Sequence, residues 1–444
     1  MNIAVIGSGY VGLITGLCLA EKGHNVRCID INKNVVDKIN KGIPNFYEDG
    51  LEILLNTQLK SKRFFAFTKL SSLDIDIEII IIAVGTPSNK EGDIDLSYIK
   101  NVSLDIGRFL KETNNFISIV VKSTVLPRTT DEYIRKFIEE ESLKAFGQFG
   151  LGMNPEFLRE GSAIYDFMNP DRIIIGYEDQ ETKFKLEKLY ENWDCEKLFV
   201  NSRTAEFIKY TNNCFLALQI SAANELANLA FEIGKVDIEE ILHGVHLDKR
   251  WNPIINGKRV NPGILQYLKA GPGFGGSCFP KDVKAIRNLG QKKGINMRIL
   301  DSIIEINDKQ PLKVFEIINN IKNLNKSKLL FLGLSFKENT DDVRESPALK
   351  IIPKLKNKTK KIFAHDPFAI ENFKRELILF ENLEYTENWE NKVFLSNVIV
   401  VLTRWKEYKK LEAMDLKDKI IIDPRRLLDK TKINSKEYLS VGLN

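Results

Sequence analysis

No two cysteines in this 444-residue chain form a CxxC motif or stand at a metal-ligand spacing; Cys18, Cys28, Cys195, Cys214 and Cys278 are scattered along it. That distribution argues against a disulfide framework and against a zinc site, and it favours a reducing compartment. No apolar run approaches the roughly 18 residues needed to span a bilayer, and IEIIIIAV at 77–84 reads as a buried strand. The opening residues, MNIAVIGSGY, carry no basic stretch and pass directly into a strand, so no secretory signal is expected. An excess of one charge is missing too. The formal net charge is +5, and the lysine-rich runs KSKLL and KNKTKKI are dispersed and flank apolar strands, as a solvated surface does. What remains is the profile of a cytoplasmic, enzyme-sized protein with room for about three domains. Neither nucleic acid nor membrane is expected among its partners.

Short β-rich runs alternate with helical patterns in the first part of the chain. Candidate strands are Ile3–Gly7, Val26–Ile31, Ile79–Val84, Ile117–Val121 and Ile173–Gly176. Such alternation predicts βαβ units and a parallel sheet covered on both faces. From Thr204 to Ile233 the pattern becomes one long helix without Gly or Pro, ended by Gly234 and about 45 Å long. A helix of that length suits an interdomain spine and a subunit interface. After a second helical stretch (280–322), strands return at Leu329–Leu334, Lys361–His365, Val398–Leu402 and Ile420–Asp423. The expected fold class is therefore α/β: two Rossmann-like doubly wound domains joined by a long central helix and a helical middle region. The boundaries read as 1–203, 204–324 and 325–444.

The segment IAVIGSGYVGLITGLCLAEKGHNVRCID is a strand, a glycine-rich turn, a helix, and a strand ending in an acid. Gly7, Gly9 and Gly12 fit GxGxxG: a tight turn, close approach of backbone to a pyrophosphate, and close helix–strand packing. The helix start, with Tyr10 and Val11, offers N–H groups and a positive dipole end to phosphate. Asp30 follows Gly12 by 18 residues at the end of the second strand. A carboxylate there bonds a ribose 2′-hydroxyl and repels a 2′-phosphate, which favours NAD over NADP; Lys33 slightly opposes that preference. VGTP (84–87, with Thr86) and KSTV (122–125, with Ser123 and Thr124) end buried strands on the same rim. Together with the fingerprint they read as walls of a nicotinamide pocket.

The other chemical signal is GPGFGGSCFPKD (271–282). Pro280 marks a helix start just after Cys278, and Lys281 is close by. A helix N-terminus and a neighbouring cation both lower a thiol's pKa. The glycines let the loop fold tightly and let a bulky ligand approach. A nucleophilic thiol beside a nicotinamide can add to an aldehyde; the thiohemiacetal can then lose hydride, and the thioester can be hydrolysed. Lys209 and Asn213 are polar, four residues apart near the start of the long helix, and so point the same way. A buried cation aimed at an oxyanion is a sensible electrostatic catalyst.

GSGYVG, VGTP, KSTV, NPEFLREGSA with NPDRIIIG, the Lys–Asn helix, GFGGSCFPKD and FLGLSFKENTDDVRES run in this order along nearly the whole chain. In these motifs the sequence resembles the UDP-glucose/GDP-mannose dehydrogenase family of nucleotide-sugar dehydrogenases. The NPDRIIIG run and the GGSCFPKD form resemble its UDP-glucose members more than its N-acetylmannosamine ones, with GDP-mannose the runner-up. The resemblance implies a four-electron oxidation of a sugar C6 alcohol, with two NAD reduced and one water consumed. It makes Cys278 the nucleophile and Glu156 the acid–base residue of thioester hydrolysis. It makes Lys209 and Asn213 the stabilisers of charge on the sugar oxygen, and Thr124 and Asp282 the holders of a water. Glu160 is a second acid near sugar and cofactor, on one face with Glu156 if that segment is helical.

The resemblance further implies substrate contacts from Phe157, Leu158, Arg159, Tyr267, Gly273, Phe274 and Gly275, and cofactor contacts from Lys281 and Arg344. Lys337 and Arg425 would hold the nucleotide end of the substrate against the C-terminal domain, although Pro424 stands where the family usually has glycine. The segment LDKRWNPIINGKRVNPGILQYLKAG is longer than the common family pattern. An arginine here enters the neighbouring subunit's sugar site in relatives; Arg250 and Arg259 are both candidates. The expected assembly is a homodimer or a higher homo-oligomer. Two other classes compete. A two-electron dehydrogenase would yield one NADH per substrate and needs no cysteine. A non-catalytic NAD-binding protein would bind cofactor without turnover.

Overall fold

The computed structural model of the chain describes residues 1–73, 76–89, 91–378 and 380–443, and it divides into two compact units, 1–212 and 213–444. An eight-stranded sheet forms the first. Its strands are β1 (Asn2–Ile6), β2 (Asn25–Ile29), β3 (Phe64–Phe67), β4 (Ile79–Ile82), β5 (Ser118–Val121), β6 (Gly150–Met153), β7 (Arg172–Tyr177) and β8 (Glu196–Val200). They lie in the order β3-β2-β1-β4-β5-β6-β7-β8. Strand order reverses between β1 and β4, and ligands of open α/β sheets bind in the crevice at such a switch point. Helices cover both faces, so the central strands are apolar throughout. Ile3, Val5, Ile79 and Ile81 enter one core cluster, and Ala4, Ile6, Ile80 and Ile82 enter the other.

The expectation of a wholly parallel sheet fails at one place. β7 runs antiparallel to β6, with Gly152 opposite Tyr177, and β8 then pairs parallel to β7. The connection 154–171 therefore leaves and re-enters at one end of the sheet instead of crossing a face. That return holds NPEFLREG at the C-terminal end of β6. β3, β6 and β8 went unread in the sequence. In β6, GLGM, two glycines replace the usual branched residues because a Cβ on Gly152 would meet the Gly176 carbonyl at 2.9 Å.

In the second unit a short antiparallel hairpin, β9 (Ile254–Ile255) and β10 (Lys258–Arg259), precedes a six-stranded parallel sheet. Its strands are β11 (Lys328–Leu332), β12 (Lys361–His365), β13 (Leu383–Tyr385), β14 (Val398–Val401), β15 (Leu416–Ile422) and β16 (Ser435–Leu439), in the order β13-β12-β11-β14-β15-β16. That order repeats the first six strands of the other sheet, so both units carry the Rossmann-like doubly wound plan.

Four helices matter for function. α1 (Tyr10–Glu21) follows β1. α2 (Ser202–Ile233) begins in the first unit and ends in the second. α3 (Phe279–Lys292) and α4 (Arg298–Asn319) fill the stretch expected to be helical. By length and composition α2 could cross a membrane, with a mean hydropathy of 1.2 over an 18-residue window, contrary to the reading that no run approaches that length. Yet Glu206, Lys209, Asn213 and Asn224 are all buried along it, and such groups are expensive in hydrocarbon.

Candidate active site

At the β1–α1 turn Gly7 has φ 101°, and a Cβ there would meet the Ala83 carbonyl at 2.6 Å. A Cβ on Gly12 would fall on the Gly7 carbonyl, whereas one on Gly9 would touch no atom of the described residues, so Gly9 keeps space in front of α1. No side chain caps α1 and no acid lies in its first turn, which leaves its positive end for an anion. Asp30 Oδ2 accepts from the Ser8 N–H (3.0 Å) and Oγ (2.5 Å), and Oδ1 accepts from the Asn32 N–H. This cradle fits a dinucleotide with an unmodified 2′-hydroxyl. Lys33 pairs with Asp37 at 2.6 Å. The Tyr10 hydroxyl donates to Glu48 Oε2 (2.6 Å), and burial, then Glu48, raises its pKa. Glu48 also accepts from the N–H groups of Gly161 and Ala163, joining the fingerprint turn to the LREGSA segment. At the neighbouring strand ends, Thr86 Oγ1 donates to the Thr124 carbonyl and Ser123 Oγ to the Val84 carbonyl.

Beyond β6, residues 154–159 are non-helical, so Glu156 and Glu160 do not share a helix face. Glu156 is buried on the wall of a cavity of about 180 Å³ that Lys122, Asn154, Arg159 and Arg172 also line. Its Oε1 accepts from Lys209 Nζ at 2.8 Å and its Oε2 from the Leu158 N–H at 2.6 Å. Burial alone would raise its pKa. The Lys209 charge and hydrogen bond, the Leu158 N–H and Lys122 outweigh that and hold the carboxyl below its ordinary range. Lys122 is also buried and donates to Asn154 Oδ1 (2.8 Å), which the Tyr190 hydroxyl shares. Burial pushes the Lys122 ammonium down to about 8, with Lys209 adding to the shift and Glu156 opposing it. Phe157 lies under the Arg172 guanidinium at 4.1 Å and the Lys209 ammonium at 5.4 Å. Leu158 packs on the core. Arg159 pairs with Asp166 at 2.6 Å.

In the second unit the exposed Cys278 is the N-cap residue of α3, and Pro280 is the second helical residue. Ser277 Oγ lies 3.5 Å from its sulfur. One turn on, Asp282 is fully buried. Asn213 Nδ2 donates to its Oδ2 at 2.7 Å and Lys281 Nζ to its Oδ1 at 2.6 Å. Thus Asn213 and Asp282, to which the resemblance gave different roles, touch. Lys281 therefore bonds Asp282.

The glycines before Cys278 answer mainly to protein packing. Gly273 has φ 88°, and a Cβ there would meet Asn307 Oδ1, the acceptor of the Phe274 N–H. A Cβ on Gly275 would meet the Glu345 carbonyl at 2.5 Å, and one on Gly276 the Phe336 ring at 2.7 Å. Tyr267 and Phe274 both lie against the Phe279 ring.

Lys337 Nζ lies 5.6 Å from the Phe336 ring centre. Arg425 donates from Nε to the Leu402 carbonyl and from Nη2 to the Phe336 carbonyl, so the backbone at Pro424 still delivers it to the end of β14. Burial, then Arg404, lowers its pKa to about 10. Arg344 folds onto Asp342 at 2.6 Å. Arg259 donates to the Leu247 and Asn252 carbonyls, while Arg250, 87% exposed, pairs with Asp248. Lys122, Glu48 and Asn154 escaped the sequence reading. KSTV was quoted, but nothing local to it announces a buried ammonium.

Three models of the UDP-glucose/GDP-mannose dehydrogenase family match in succession: the NAD binding domain (residues 1–194), the central domain (203–309) and the UDP binding domain (330–430). The UDP-glucose 6-dehydrogenase of Rickettsia conorii is 39% identical, over 97% of this chain and 96% of its own. YwqF, a UDP-glucose 6-dehydrogenase of Bacillus subtilis, is 36% identical over 100% of this chain and 98% of its own. Among solved structures, a UDP-glucose dehydrogenase from the archaeon Pyrobaculum islandicum superposes with a TM-score of 0.90 at 34% identity, covering 100% of this chain and 98% of that one.

Proposed function

Because the chain belongs to the UDP-glucose/GDP-mannose dehydrogenase family, we propose that it oxidises the C6 alcohol of UDP-glucose to the carboxylate of UDP-glucuronate, reducing two NAD and consuming one water per sugar. The observation that carries this reading is the exposed Cys278 thiol capping α3, one turn from the buried Asn213–Asp282 pair. NAD, when bound at Gly7, Gly9, Gly12 and Asp30, supplies the hydride acceptor. Thr86, Ser123, Thr124, Glu160, Lys281 and Arg344 are the further cofactor-side residues of this reading.

Lys209 puts positive charge against the sugar oxygen as it loses its proton. Cys278 adds through sulfur to the C6 aldehyde, and the resulting thiohemiacetal is oxidised to a thioester. Glu156, kept anionic by Lys209 and the Leu158 N–H, takes the proton of the water that cleaves the thioester and restores the thiol. Asp282 and Asn213 brace each other and, with Thr124, orient that water. Phe157, Leu158, Arg159, Tyr267, Gly273, Phe274 and Gly275 line the sugar end; Lys337 and Arg425 take the nucleotide.

The protein works as a cytoplasmic homodimer, without nucleic acid or membrane. Large apolar side chains stand exposed along α2 at Phe207, Phe215, Leu226, Leu229 and Ile233, which suits a subunit interface. Its domains are 1–203 for NAD, 204–324 for the helical middle and 325–444 for the nucleotide sugar. Initial rates of NAD reduction with UDP-glucose, GDP-mannose and UDP-N-acetylmannosamine test the substrate. UDP-glucose should exceed both others in kcat/KM by at least about tenfold, a margin of about 1.4 kcal/mol; a reversed order would move the assignment to the faster sugar.

A further inference from the structure

The two sheets use one device at their first turn, with different outcomes. In the first, the Gly7 N–H (φ 101°) donates to the Ile29 carbonyl, and the residue after Gly7 donates to the acid just past β2, Asp30. In the second, the Gly333 N–H (φ 102°) donates to the His365 carbonyl, and the residues after Gly333 donate to the acid just past β12, Asp366. Among the described residues, Asp30 is half-buried and meets three donors, whereas Asp366 is 2% exposed and meets six. Its Oδ2 accepts from the Leu334 N–H (2.8 Å), the Ser335 N–H (3.0 Å), Ser335 Oγ (2.8 Å) and Trp405 Nε1 (3.1 Å). Its Oδ1 accepts from the N–H groups of Phe368 and Ala369. A carboxylate so occupied has no acceptor to spare for a ribose.

What it holds is the loop after β11, whose carbonyls are also taken. Ser346 Oγ donates to Leu334 (2.7 Å), Thr403 Oγ1 to Ser335 (2.7 Å) and Arg425 Nη2 to Phe336 (3.1 Å). This loop supports the cysteine loop directly. The Gly276 N–H donates to the Arg344 carbonyl at 2.8 Å, and Gly275 and Gly276 lie too close to Glu345 and Phe336 to admit a Cβ. Asp366 therefore stands at the base of a continuous chain of contacts. It runs through Leu334–Ser335 to Phe336 and on to the glycines two and three residues before Cys278.

We propose that Asp366 is a positioning residue that braces the Phe336–Lys337 segment for the substrate's nucleotide and, through the same loop, sets the Cys278 thiol. The proposal rests on the functional reading above, but its test needs no turnover. UDP affinity is measured by calorimetry, and the iodoacetamide alkylation rate at Cys278 by peptide mass, in wild type and in Asp366→Asn, whose amide replaces one acceptor by a donor. The folded variant should bind UDP about tenfold more weakly, the scale of one charged hydrogen-bond contact. It should change the Cys278 alkylation rate at least about threefold and leave NAD affinity at its wild-type value. Ser335→Ala and Thr403→Val, which each remove one bond of the same loop, should shift UDP affinity and alkylation in the same direction by less, and they carry the test if Asp366→Asn does not fold. A merely structural acid would lower the melting temperature alone. Wild-type UDP affinity and alkylation in folded variants would overturn the proposal. A wild type that binds no UDP would instead overturn the functional reading, and alkylation would still decide the bracing.

Discussion

Glu156 is anionic because Lys209, the Leu158 N–H and Lys122 together outweigh its burial. Glu156→Gln keeps the shape of the site but cannot take the proton of the attacking water. The expected outcome is a fall in kcat of about 10²–10⁴-fold, with a sugar adduct on Cys278 visible by intact mass. Lys209→Ala leaves a buried carboxylate without its ammonium, a change that costs about 3–5 kcal/mol, so this variant should lose stability as well as rate. The linkage has a definite sign. The folded pKa of Glu156 lies below its unfolded value, so its stabilisation is present at neutral pH and is lost as pH falls through that lowered value. Urea unfolding of wild type against Glu156→Gln should therefore converge below about pH 4. Lys122, held down at about 8, acts at the other end: stability relative to Lys122→Met should rise between about pH 8 and 10.5. Lys209 stood out by its i, i+4 spacing to Asn213, and Glu156 only through the resemblance to a family. Lys122 and Asp366 were not legible, because Asn154 lies 32 residues from Lys122 and Ser335 lies 31 from Asp366, and only the fold brings them together.

Among the elements, the glycine bed of Cys278 is where local conformation and chemistry meet. Gly276 has φ 80° and the Phe336 ring where its Cβ would go. Gly276→Ala should therefore displace the cysteine loop, lowering kcat/KM by about tenfold or more for a loss of about 1–3 kcal/mol in stability. Steady-state kinetics beside a thermal melt reads both; unchanged kinetics would mean that the loop tolerates the shift. The central strands β1, β4, β5, β11, β12 and β14 could be read from the chain because buried central strands are largely continuous apolar runs, whereas β3, β8 and β13 went unread. β6 could not, since GLGM lacks branched residues for reasons of packing against Thr182 and Gly176. Nor could β16, SKEYL, whose edge position tolerates polar residues. The reversal at β7 escaped as well, because nothing in NPDRIIIG distinguishes a parallel from an antiparallel neighbour.

Over the whole molecule, the two sheets follow one strand order but differ in what their second-strand acid does, and α2 joins the units that contain them. The exposed apolar residues of α2 lie along its length, so charge in their midst should oppose self-association. Leu229→Arg, at a site 57% exposed, should shift the protein from dimer to monomer in size-exclusion chromatography with light scattering while leaving NAD affinity intact. The proposed chemistry has one chain carry out both oxidations, the second through a thioester on Cys278. Its most direct test is the NADH formed per UDP-glucose consumed at completion, in wild type and Cys278→Ser side by side. Two NADH per sugar are expected in the wild type, with abolished or stalled turnover in the variant; one NADH per sugar with an unaffected variant would mean that the cysteine takes no part in the chemistry.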